Sequence, residues 1–112
     1  MRKINQIGYI KYTDDWQIES NIIFRNFIYK GVYWSIILRH HGIGGYTIRL
    51  INSNQDELYI CNFGINKMIL TINHAFYDIN DWYYEDLNEL KVKIYNDLED
   101  LLKMYEKFIE FL

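Results

Sequence analysis

Three histidines, one cysteine and a run of five carboxylates are the side chains of this chain whose types and spacing could do chemistry. His40 and His41 are adjacent, and His74 stands four residues before Asp78, a pairing that could serve metal ligation or general-base work. The spacing matches no metal-binding pattern. Neighbouring residues on a strand point to opposite faces, so at most one of the adjacent pair can enter a common site. Cys61 with one of these histidines is the minimum for a thiol nucleophile, but its setting, Leu58-Tyr-Ile-Cys61-Asn-Phe63, is apolar. Burial there raises a thiol pKa and hides the sulfur, which makes a packed small hydrophobe the expectation. Gly42-Ile43-Gly44-Gly45 could offer backbone amides to an anion. It lacks the Lys-Ser/Thr of a phosphate loop and precedes a strand, so a hairpin explains it. The expectation is a chain with no catalytic residue, no metal and no cofactor.

The carboxylates differ in kind. Asp78-Ile-Asn-Asp81-Trp82-Tyr83-Tyr84-Glu85-Asp86-Leu-Asn-Glu89 holds no basic residue, and its five acids repel one another in the free protein. Residues 1–77 carry eight Lys/Arg against five Asp/Glu, and residues 78–112 carry four against ten, so the two parts stand at +3 and −6. Such a surface suits a basic protein partner, with Asp78, Asp81, Glu85, Asp86 and Glu89 facing its cations and Trp82 or Tyr83 serving as a low-entropy aromatic anchor. The competing reading is structural: acids at a helix start complement its dipole, and the rings hold the helix to the rest of the fold.

The elements that position these residues can be read from periodicity. Residues 4–12 alternate weakly and suit an edge strand, followed by a polar turn at Thr13-Asp14-Asp15. Ile22–Tyr29, Val32–Arg39, Tyr46–Ile51 and Leu58–Phe63 are short runs rich in Ile, Tyr and Phe, and Met68–Phe76 predicts a last strand. Between them lie Lys30-Gly31, the glycine turn, Asn52-Ser-Asn-Gln-Asp56 and Gly64-Ile-Asn66, all hairpin material. The predicted fold is α+β: an antiparallel meander of five or six strands over residues 4–77, then a long amphipathic helix within residues 78–112, together one domain of 112 residues. Leu87, Leu90, Ile94, Leu98, Leu101, Tyr105, Phe108 and Leu112 give the helix its apolar stripe. Run from residue 82 to the end, it would span about 46 Å, beyond the roughly 30–35 Å of a globule this size. It should therefore break near Asn96-Asp97, or project and pair with a second copy as a homodimer.

Strand parity offers an alternative surface. With Val32, Trp34, Ile36 and Leu38 toward the helix, Tyr33, Ile37 and Arg39 face away, and neighbouring strands could add Arg25, Phe27, Tyr29, Arg49, Tyr59 and Phe63. Three of the four arginines beside aromatic rings would resemble a platform for single-stranded nucleic acid. The acidic total and the absence of a Lys/Arg cluster make nucleic acid the lesser expectation.

Ile, Asn, Lys, Tyr and Phe make up about half of the chain, proline is absent and Ala75 is the one alanine, a usage typical of AT-rich coding. No run reaches the roughly 18 apolar residues of a membrane span, and the first residues lack the apolar core of a signal peptide. A lone cysteine suits a reducing compartment, so a cytoplasmic location is expected. In size, charge and composition the chain is similar in general type to phage or mobile-element inhibitors of host defence, of the anti-CRISPR or anti-restriction kind, and to toxin-neutralising immunity proteins. That likeness implies a small non-enzymatic protein-binding inhibitor, with a nucleic-acid-binding accessory protein as the alternative.

Overall fold

A two-residue turn sets the register of the central hairpin. Lys30 and Gly31 have φ of 50° and 80°, the pair of positive angles a type I′ hairpin requires, and they join strand β4 (Ile22–Tyr29) to β5 (Val32–His40). Tyr29 therefore lies opposite Val32, which places Phe27 opposite Trp34, Arg25 opposite Ile36 and Ile23 opposite Leu38. The strands β6 (Tyr46–Asn52), β7 (Glu57–Asn62), β8 (Met68–Ile72) and β9 (Ala75–Asp78) follow in order, each antiparallel to the one before. The computed structural model describes residues 6–40, 46–62, 68–72, 75–79 and 84–110.

The other edge is built from three short pieces. Gly8, with φ of 56°, turns β1 (Gln6–Ile7) back into β2 (Ile10–Tyr12). Strand β2 pairs with the far half of β4, and β3 (Gln17–Glu19) pairs with its near half, so the two occupy one row. Asp14 bridges the gap between them. Its carboxylate accepts from the Asn26 backbone N–H (3.0 Å), the Asn26 amide (2.8 Å) and Gln17 (2.8 Å), replacing the ladder bonds that an uninterrupted strand would make.

Among the described residues the sheet has nine strands, more than the five or six expected, because two apolar runs each fold into a hairpin and the short β3, which periodicity does not mark, adds a ninth. The stretch 4–12 divides at Gly8, and Met68–Phe76 divides into β8 and β9. One helix, α1 (Leu87–Glu110), covers one face of the sheet. Leu90, Ile94, Leu98, Leu101, Leu102 and Tyr105 are buried along it, against Trp34, Ile36, Leu38, Ile48, Leu50, Leu58, Ile60 and Leu70 from alternate strand positions. The core also holds an aromatic series in which Trp34 stacks on Phe27 at 6.3 Å and meets Tyr105 edge-on at 5.2 Å.

The expected break at Asn96-Asp97 does not occur: α1 is continuous over 24 residues. Lys93 and Asp97 form an i,i+4 ion pair at 2.7 Å that spans the expected break. Nor does the helix begin at residue 82. At about 1.5 Å per residue its length is about 36 Å, which fits within the longest dimension of the molecule, 39 Å.

Candidate functional site

The acidic lead-in must be judged by what its residues touch. Asp81, Trp82 and Tyr83, with the side chain of Asp78, lie outside the described residues. Asp86 is the N-cap of α1. Its Oδ1 accepts from the Glu89 N–H at 2.8 Å, its carbonyl accepts the first helical bond from Leu90, and Glu89 reaches back to the Glu85 N–H at 2.8 Å. Two of the acids are therefore occupied in starting the helix. Tyr84 fixes the same point to the sheet, donating its hydroxyl hydrogen to the Tyr46 carbonyl while accepting from the Tyr46 N–H at 3.0 Å. Burial is the main reason the Tyr84 hydroxyl titrates above its ordinary range. Glu85 is exposed, and its carboxylate makes no hydrogen bond or ion pair with another described residue.

The far end of the helix is tied down by two tyrosine–carboxylate contacts. Buried Asn52 organises the β6–β7 turn by accepting from the N–H groups of Asn54 and Asp56, both at 2.9 Å, and Tyr105 donates to Asp56 across the interface. Tyr29 donates to Glu106, which also pairs with Lys30 at 2.9 Å. Burial first, and the neighbouring carboxylate second, push both phenols up to about 12. The same contacts, the tyrosine hydrogen bond foremost, hold the Glu106 carboxyl below its usual value.

His40 lies on the helix side of β5, exposed, with its ring 5.0 Å from Tyr46. His41, His74 and the glycine turn lie outside the described residues. Among the described residues no three His, Cys, Asp or Glu side chains come together as a metal site. Cys61 is half-buried on the side of the sheet away from the helix, and burial raises its thiol pKa.

The proposed arginine face needs correction. Arg25 lies opposite Ile36 and so belongs to the helix side, as do buried Phe27 and Tyr29. There its Nε donates to the Asp14 carbonyl at 2.9 Å and its guanidinium sits 3.7 Å from the Tyr12 ring centre, so it stitches the edge of the sheet. Arg39, Arg49, Tyr33 and Tyr59 do share the open face, while Phe63 lies outside the described residues. Directly opposed residues form one row across six strands: Phe24, Ile37, Arg49, Tyr59, Thr71 and Phe76. Tyr33 is 63% exposed and Phe76 74%, and no described element lies over them. Ile22, Ile37, Arg39, Thr47, Arg49, Glu57 and Tyr59 line a groove of about 280 Å³ on this face, where Arg49 pairs with Glu57 at 2.9 Å.

Compared with protein-family models, with curated proteins and with solved structures, the chain has no significant match in any of the three. Residues, geometry and charge therefore carry the functional argument.

Proposed function

We propose that this chain is a non-enzymatic protein-binding module that works through the open face of its sheet. The observation that carries the reading is the set of large apolar and aromatic side chains on a sheet face that no described element covers: Tyr33 and Phe76 stand largely exposed there, and Ile22, Phe24, Ile37 and Tyr59 share that face with Arg39 and Arg49. A solvated sheet face ordinarily alternates to polar residues, and an apolar patch rimmed by charge is the usual mark of an interaction surface. Nucleic acid fits less well, because Arg25 is on the opposite face and Glu57 already engages Arg49. Within the protein-binding class, the chain's size, acidity and coding bias favour an inhibitor of the anti-CRISPR or anti-restriction type.

A second reading keeps the acidic lead-in as the contact to a basic partner, and exposed Glu85, uncommitted to the helix start, favours it. The two separate in one experiment. Captured partners should be lost with a Tyr33→Ser, Phe76→Ser variant and kept with Glu85→Gln, and the association should depend weakly on salt. Capture lost with Glu85→Gln, strongly salt-dependent and indifferent to Tyr33 and Phe76, would move the function to the helix start.

A further inference from the structure

The groove on the open face has a charge count that selects its occupant. Arg39 and Arg49 are diagonal neighbours on adjacent strands, since Arg39 lies opposite Thr47 and Ile37 opposite Arg49. Glu57 neutralises one of them through its 2.9 Å contact with Arg49. Arg39 is exposed and enters no ion pair with another described residue, which leaves the groove with one uncompensated positive charge. Around it stand the Tyr59 ring, the Thr47 side chain and the apolar flanks of Ile22 and Ile37. At about 280 Å³ the space falls just below the range of cofactor and drug-sized pockets, and suits one or two side chains.

We propose that this groove receives a single aspartate or glutamate side chain of a partner protein, carried on a segment whose neighbouring residues are apolar. The inference rests on the open face being the binding surface and names the chemistry of what docks there. A guanidinium fork takes a carboxylate in two parallel hydrogen bonds, and the apolar flanks exclude the water that would otherwise weaken them. One net positive charge balances one carboxylate. A nucleic-acid strand would need several cations in line, and Glu57 would oppose its phosphates. A basic segment would meet Arg39 unpaired. The occupant is thus acidic here, whereas the lead-in to the helix would call for a basic one.

The test pans a displayed library of random dodecapeptides against the full chain and, in parallel, against Arg39→Gln, which keeps a planar polar side chain, shorter than the guanidinium, and removes its charge. The expected result is enrichment of peptides with one Asp or Glu among apolar residues. Such a peptide, synthesised, should shift the amide signals of Ile37, Thr47 and Tyr59, and its affinity should fall about tenfold or more for Arg39→Gln, the scale of one charge-assisted contact. Peptides that shift the same signals but carry no acid, or bind Arg39→Gln equally well, overturn the carboxylate and leave the open face as the binding surface. Peptides that instead shift signals along α1 overturn both. A chain that enriches nothing over a blank support, or whose Arg39-dependent ligand is oligothymidylate, also overturns the proposal. The spectrum of Arg39→Gln alone establishes that the variant is folded.

Discussion

Tyr105 joins helix to sheet at a single oxygen, and its titration gives the fold a distinctive alkaline limb. The phenol donates to Asp56 and lies 3.4 Å from the Asn52 amide, so Tyr105→Phe should cost about 1.5–3 kcal/mol at neutral pH, the range for a hydrogen bond to a charged group. With its pKa pushed up to about 12, against about 10 in the unfolded chain, the folded state holds this proton more tightly. The contribution is fully present below pH 10 and is lost as pH rises from 10 toward 12. The stability gap between parent and Tyr105→Phe should therefore narrow over that window in urea melts. Glu106 has the opposite sign: its lowered pKa gives stability that is present above the ordinary carboxylate range and lost as pH falls below it. Neither contact was legible in the sequence, since Tyr105 reads simply as a stripe position and Asp56 as a turn residue. Pairing them needs the helix placed over the β6–β7 turn, which no local pattern encodes.

The helix and the hairpins were the legible elements, and their boundaries show why. The runs 22–29, 32–39, 46–51 and 58–63 became strands within a residue of their expected ends, because each is bounded by turn residues. The runs that divided, 4–12 and 68–76, carry weaker punctuation: Gly8 marks the first turn, and no glycine or proline stands in the sequence between the end of β8 at Ile72 and the start of β9 at Ala75. Register was also available. Once Lys30-Gly31 is read as a two-residue turn, Arg25 must share a face with Ile36, and parity counted within β4 alone misses this. On the helix, Leu98 is fully buried beneath the sheet, so Leu98→Ala should destabilise by about 2–5 kcal/mol. Asp86→Ala removes the N-cap and should cost about 0.5–2 kcal/mol. Thermal melts that leave the Asp86 variant at parental stability would free that carboxylate for a role in binding.

The expected helix-mediated homodimer loses its geometric reason in the whole molecule. It rested on a helix of some 31 residues with no room on one sheet, whereas α1 begins at Leu87, beyond a cap that periodicity alone could not distinguish from an earlier start at Asp81. About 36 Å of helix lies along a molecule 39 Å long, with Tyr84 just before it tied to one end of β6 and Tyr105 within it tied to the other. Its outward residues give no second seam: Val92 and Tyr95 form one exposed apolar pair, but the positions that would extend it along the same side are Asn88 and Glu99, and Ile109 stands apart near the end. A coiled-coil partner needs apolar residues repeating every three or four positions on that side. The free chain should thus scatter light as a 13.7 kDa monomer at micromolar concentration, and Val92→Glu should leave both that mass and the melting temperature unchanged. If association sets in at higher concentration, the exposed aromatic side chains of the open sheet face should carry it, and Phe76→Asp should abolish it. A dimer that survives Phe76→Asp and dissociates with Val92→Glu would restore the helix as the contact.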